Sequence, residues 1–389
     1  MPGGVPDAQR VVARLVSEME AELDAMVERI GERIRHDVPA FRRLPAGTLE
    51  QAVRGNVGRA LDALREVREP TRAELELAAD VGRERAEQGL PVEAVLHAYR
   101  ITVSAVWSRF GEVAREHAAD VPSVLAFSET LWRWADAVMD VVAAAHREVE
   151  LEQAREEQQR RDGFVLAVLT GGADARALAA EASTFGVDPE RDYVCFRARA
   201  AGGGEDGAPD GGLGRRTALA LAGSDGLVTS LDRDAVGFAP LAPAAVAGVT
   251  VGVGPPSRPS VLAGAFTSAS RALQTALAFG QQGVFSLGDL SVRPAILVDD
   301  ALGDAFVARY LEPLSGLGRL GADLEETLRA WFDTGMRTDE TARVLHVHPN
   351  TLRHRMRRFE EATGADLHRS TDLVELWWAL ERQRLRRDD

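Results

Sequence analysis

A chain of 389 residues exceeds one ordinary hydrophobic core and predicts about two to three domains. Apolar residues at 45% and charged residues at 27% exclude a disordered or fibrous chain. The net charge of −14 excludes a protein that coats nucleic acid or an anionic membrane along its length, while leaving room for a local basic head.

All 46 basic residues are arginine, which together with the Ala and Gly richness fits a GC-rich genome. Cys195 stands alone and can form neither an internal disulfide nor a multi-cysteine zinc site, so it reads as a small core residue in a reducing compartment. Residues 1–10 lack a basic stretch followed by an apolar run, and no uncharged apolar segment of about 18 residues follows. Neither export nor membrane spanning is expected, and the expected location is cytoplasmic.

Residues 8–162 carry few glycines and repeat apolar residues at three and four, which predicts an all-α N-terminal domain. Val11, Val12, Leu15, Met19, Leu23, Met26, Ile30 and Ile34 make one long amphipathic face. Further helices are predicted over 48–67, 71–88, 91–117 and from 122 onward. Thr71 ahead of Glu74 fits a capping box, and Pro91 suits a first helical turn. The last of these helices continues through Val138, Val142, Ala145 and Val149 into the Glu-, Arg- and Gln-rich stretch 150–162. Such a charged helix serves either as a dimeric signalling connector or as an exposed linker.

Composition then changes, and β-type runs are predicted at 193–198, 227–231, 236–241 and 249–253, with Gly- and Pro-rich turns between them. Residues 201–214, rich in Gly and Asp, read as a loop. A helix over 260–280 and a short strand at 284–287 complete an α+β middle domain, 163–293. The remainder, 294–389, is predicted to be all-α.

Within it, residues 337–364 read RTDETARVLHVHPNTLRHRMRRFEEATG. Residues 339–345 predict a short helix with Ala342 and Leu345 inward, His346 and Val347 a tight turn, and Pro349 the start of a second helix. There Leu352, Met356 and Phe359, at i, i+4 and i+7, share one buried stripe. Asn350, Thr351, Arg353, His354, Arg357 and Arg358 point away from it. From Thr341 to Phe359 there are five arginines and no carboxylate, a local reversal of charge suited to phosphates. Asn350, Thr351 and His354 are the candidate base readers, while Arg353, Arg357 and Arg358 are candidates for phosphate contacts.

The run HVHPNTLRHRMRRFEEATGADL resembles the C-terminal helix-turn-helix of PucR/CdaR-type regulators. The resemblance takes in the preceding helix with Thr327-Leu328, the exit Thr363 to Leu367, and a closing helix with Leu373, Leu376 and Leu380. It departs from the family at Pro349, where many relatives carry arginine or another residue. The middle domain resembles, less closely, the degenerate GGDEF-like domain of the same regulators. An active cyclase of that type would need a Gly-Gly hairpin and metal-binding carboxylates. The corresponding segment, Leu231 to Gly237, keeps Asp232 and Asp234 but not the Gly-Gly turn. The N-terminal domain, around Gly89 to Leu96, is similar to RsbR-type co-antagonist sensor modules.

The resemblance implies a DNA-binding transcription regulator, with double-stranded DNA as partner, a homodimer or higher homo-oligomer as working form, and a signal or a small-molecule effector sensed upstream. No catalytic role, cofactor, metal site or membrane partner is expected. The alternative is a signalling scaffold that acts through protein partners without DNA binding. Gly316, Gly318 and Gly321 satisfy a GxGxxG spacing, but no strand precedes them, so they read as a flexible joint. His346, His348 and His354 have no carboxylate or cysteine close in sequence to complete a metal set. His97 and Arg100 share a helix face, as a surface or packing pair or as the mark of a sensor pocket. Trp107, Trp132 and Trp134 read as core.

Overall fold

The structure is a computed structural model that describes residues 5–45, 47–172, 181–200 and 215–388. The Gly- and Asp-rich stretch 201–214 lies outside the described residues. The chain forms two compact units, Met1–Gln158 and Gln159–Asp389.

The first unit is helical: α1 (Val5–Ala21), α2 (Leu23–Asp37), α3 (Thr48–Glu66), α4 (Arg72–Glu87), α5 (Val92–Glu116) and the first part of α6 (Val121–Thr170). The long amphipathic face predicted from Val11 to Ile34 is interrupted at Glu22, whose N–H donates to the Met19 carbonyl at 3.1 Å and ends α1. Two helices therefore share its apolar residues. Val12, Leu15, Met19, Ile30 and Ile34 are buried with Leu61, Val106 and Phe110 in one core. Phe110 stacks on Phe127 with ring centroids 3.5 Å apart. Trp134 is buried in that core and Trp107 packs against it, as expected. Trp132 is instead 51% exposed, being turned by about 100° or more round α6 from the buried Leu131, Trp134 and Val138.

Thr71 caps α4 in a complete capping box with Glu74, as the spacing predicted. Pro91 stands one residue before α5 and serves as its N-cap.

α6 runs on past the charged stretch to Thr170, and its end belongs to the second unit. There Phe164, Val165, Val168 and Leu169 are buried against one face of a five-stranded sheet. The strands are β1 (Val194–Ala200), β2 (Leu227–Leu231), β3 (Asp234–Ala239), β4 (Val249–Val253) and β5 (Gly283–Phe285), in the order β2-β3-β1-β4-β5. All pairings are antiparallel except β4 with β5. Side chains alternate across a strand, so Cys195 and Phe238 lie on the α6 side while Phe196 and Ala198 join Leu221 and Ala222 on the other. Those last two belong to α7 (Arg215–Ala222). Burial pushes the Cys195 thiol up to about 12, which keeps it an inert core group.

α8 (Leu262–Ala278) covers the Cys195 side of the sheet. Gly252 permits this approach, since a Cβ there would stand 2.1 Å from the Ala269 carbonyl oxygen.

The third strand begins at Asp234, two residues before the predicted start. The turn needs only Asp232 and Arg233, with Asp232 in the left-handed region at φ 56°. The predicted helix 260–280 is shorter by two residues at each end, its start being a 3₁₀ turn over Pro259–Val261.

The rest of the second unit is helical: α9 (Arg293–Ile296), α10 (Asp300–Tyr310), α11 (Glu312–Ser315), α12 (Arg319–Asp333), α13 (Thr338–Val344), α14 (Pro349–Thr363) and α15 (Ser370–Asp388). Tyr310, Leu314, Leu324, Leu328, Phe359, Leu376 and Leu380 form its core. Of the GxGxxG stretch, Gly316 and Gly318 lie between α11 and α12, and Gly321 lies in the first turn of α12. A Cβ on Gly321 would fall 1.9 Å from the Leu314 carbonyl oxygen, so this glycine lets two helices touch rather than cradling a phosphate. No described helix is long and apolar enough to cross a membrane.

Candidate nucleic-acid interface

α13, its turn and α14 make a helix-turn-helix. His346, at φ 52°, reverses the chain. The Val347 N–H reaches back to the Ala342 carbonyl at 2.9 Å, a closure that leaves no room for a longer loop. The His348 imidazole Nδ1 then accepts from the Asn350 N–H at 3.2 Å, and Pro349 occupies the first helical position, where no N–H is needed. At the far end Gly364 takes φ 72° and its N–H meets the Glu360 carbonyl at 2.8 Å. The sequence thus states both ends of α14 locally.

The predicted stripe of α14 is buried. Leu352 and Phe359 are fully covered and Met356 packs against the core at their side. Burial of each large side chain is worth roughly 1.5–3 kcal/mol. Ala342 is buried from α13. Thr341, also buried, donates to the Arg337 carbonyl at 2.8 Å and meets the Thr334 hydroxyl at 2.7 Å, which joins α12 to α13.

Asn350, Thr351, Arg353, His354, Arg357 and Arg358 are all exposed on α14. Two of them are already coupled: Arg353 Nη1 donates to Asn350 Oδ1 at 2.9 Å. Arg358 holds Glu361 at 2.9 Å, one turn on. Thr351, His354 and Arg357 have no side-chain partner among the described residues.

Of the five arginines counted in this stretch, Arg355 faces inward. It donates to Asp323 Oδ2 at 3.1 Å and Thr327 Oγ1 at 3.2 Å, and so fastens α14 to α12. Arg343, in the last turn of α13, is exposed without a side-chain partner among the described residues, and adds a cation that the face of α14 alone did not suggest. Its place one turn before the reversal at His346 was the available signal.

His97 and Arg100 are both exposed. The three histidines near the turn are differently employed, His348 as a cap and His346 as the reversal. At the β2–β3 hairpin Asp234 is buried and accepts from Arg197 Nε at 2.5 Å and Arg199 Nε at 2.6 Å. Its carboxylate is therefore matched by two guanidinium groups.

Comparison with known proteins bears on both ends of the chain. Residues 324–381 match the PucR C-terminal helix-turn-helix domain, and residues 24–161 match the RsbT co-antagonist protein rsbRD N-terminal domain. In these two regions the chain is similar to regulators of the PucR/CdaR type. Among its relatives is the carbohydrate diacid regulator of Escherichia coli (strain K12), 34% identical over 88 residues, which are 22% of this chain and 23% of that protein. Another is the transcriptional activator PmfR of Paenarthrobacter nicotinovorans, 38% identical over 77 residues, 20% of this chain and 16% of that protein. The chain thus spans less than a quarter of the length of these relatives. The crystal structure of a regulator of polyketide synthase expression from Bifidobacterium adolescentis shares 19% identity over 59% of this chain and 94% of that one, with a TM-score of 0.27, too low to carry an argument about fold.

Proposed function

We propose that this chain is a cytoplasmic transcription regulator that binds double-stranded DNA sequence-specifically through α14, as a homodimer or higher homo-oligomer, under the control of a small-molecule effector. The observation that carries the reading is the two-sided character of α14: an exposed face of Asn350, Thr351, Arg353, His354, Arg357 and Arg358, opposite a buried stripe that fixes it to α12 and α13. A helix so held presents its N-terminal half to base edges in the major groove, and arginines farther along reach phosphates. The names of the two relatives, a regulator and a transcriptional activator, support the same reading.

In this reading residues 8–162 sense the signal, 163–293 form a GGDEF-like unit without catalysis, and 294–389 read DNA. The pairing of Asp234 with Arg197 and Arg199 supports a structural use of the hairpin, since that carboxylate is matched by protein cations. Two heads of an oligomer would engage half-sites about 34 Å, one helical turn, apart.

Selection of bound fragments from a genomic library, followed by salt titration on the selected duplex, tests the proposal. A recurrent sequence whose affinity falls steeply with salt is expected. Absence of binding, or equal binding to all sequences, would overturn it in favour of a scaffold that works through protein partners.

A further inference from the structure

The N-terminal unit contains a cavity of about 40 Å³ between α2, α3, α4 and α5. Most of its wall is apolar, with Ile34, Phe41, Val53 and Val95 buried around it. Four polar side chains interrupt that wall, Asn56 from α3, Arg85 from α4, and Tyr99 and Thr102 from α5, and each is more than nine-tenths buried.

A guanidinium removed from water needs partners for five N–H donors. Arg85 engages only Nη1, with Gln88 Oε1 at 2.5 Å and Glu84 Oε1 at 3.3 Å, both on exposed residues of its own helical turn and the next. Its Nε and Nη2 have no partner among the described residues. Thr102 donates to the Ala98 carbonyl at 2.9 Å. The Tyr99 hydroxyl and the Asn56 carboxamide, by contrast, make no hydrogen bond to any described residue. Burial pushes Tyr99 up to about 12, so it remains a donor at neutral pH, and Arg59 and Arg85 are the cations acting on it.

Buried polar groups in native proteins are nearly always matched. The Tyr99 hydroxyl and the Asn56 amide, two donors without a protein partner, beside the Arg85 guanidinium suit an anion, and the apolar remainder of the wall suits a carbon tail. We propose that this cavity binds a short organic monocarboxylate of about two to three carbons, a size set by a volume equivalent to a few waters. Its carboxylate lies on Arg85 and the Tyr99 hydroxyl, with the Asn56 amide as a third donor, and its alkyl end rests against Ile34, Val53 and Val95. The site is confined to the N-terminal unit and stands whether or not α14 binds DNA.

Calorimetric titration of the full chain with acetate, propionate, propionamide and inorganic phosphate tests this. Saturable binding of acetate or propionate is expected, with propionamide and phosphate at least tenfold weaker. Tyr99→Phe, which keeps the shape of the cavity, should weaken carboxylate binding about tenfold or more, and Arg85→Met should weaken it further. Arg100→Met, on the exposed side of α5, should leave it unchanged. If Arg85→Met does not fold by circular dichroism, Tyr99→Phe decides. No saturable carboxylate binding, equal affinity for propionamide or phosphate, or unaltered binding by Tyr99→Phe would each overturn the proposal.

Discussion

Arg353 Nη1 donates to Asn350 Oδ1 at 2.9 Å, so in the proposed DNA complex this bond would be kept or exchanged for one to a base or phosphate. The bond orients both side chains without removing either from the outward face. Replacing Asn350 by Ala should relax preference at the base it reads by about 1–3 kcal/mol; an unaltered selected sequence would remove it from the readers. Arg357→Ala and Arg358→Ala should each weaken binding to every sequence alike and lower the salt slope by about one, as measured by filter binding across a salt series. The two arginines differ in their starting state, because Arg358 is tied to Glu361 and Arg357 is not. Both members of that pair are about half exposed, so it stabilises the helix little. Glu361→Gln should therefore leave the melting temperature nearly unchanged while tightening DNA binding through the freed cation; weaker binding would show that Arg358 does not contact phosphate.

At the scale of elements, α14 is held by more than its stripe. Arg355 joins it to Asp323 and Thr327 of α12 through partly exposed groups, so Arg355→Met should lower the stability of the C-terminal helices by about 1 kcal/mol in urea titration. Gly321→Ala should cost more, about 1–3 kcal/mol, because the Leu314 carbonyl cannot retreat from α12 without moving α11. At the start of α4 the Arg68 hydrogen bonds, helped by those from Thr71, lower the Glu74 carboxyl from 4.5 to about 2. A depressed folded-state pKa contributes stability that is fully present above about 4.5 and is lost as pH falls toward about 2. Glu74→Gln should flatten the fall in denaturation midpoint across that window, and an unchanged slope would remove this group from the acid response. These elements also show what is readable locally. The capping box, the Pro349 start and the Gly364 exit depend on residues within one turn of each other, and they stand where the spacing put them. The start of β3 does not depend on its own residues alone. Asp234, its first residue, is buried and paired with Arg197 and Arg199 of the neighbouring β1, and a pattern along one strand carries no sign of that.

Over the whole molecule, the second unit joins its sheet region to its helical end through a small shared core of Phe279, Ile296 and Leu385, beside which Arg293 pairs with Glu381 at 3.1 Å. Arg293 also lies over the rings of Phe279 and Trp377. Ile296→Ala should therefore destabilise both parts of that unit together by about 2–5 kcal/mol, seen as a common shift when unfolding is followed by near-ultraviolet and far-ultraviolet dichroism; a shift in one signal alone would mean that they unfold separately. The sequence by itself determined the order of helical, α+β and helical regions, the buried stripe and outward face of α14, and the turn between α13 and α14. Each of these follows from periodicity or from side chains acting on neighbouring backbone. Only the tertiary structure decided that Arg355 turns inward, that Trp132 stays exposed, that Gly321 serves a helix contact, and that Asn56, Arg85 and Tyr99 share one cavity. Those facts arise from groups distant in sequence, whose burial and pairing are defined only once separate helices have packed.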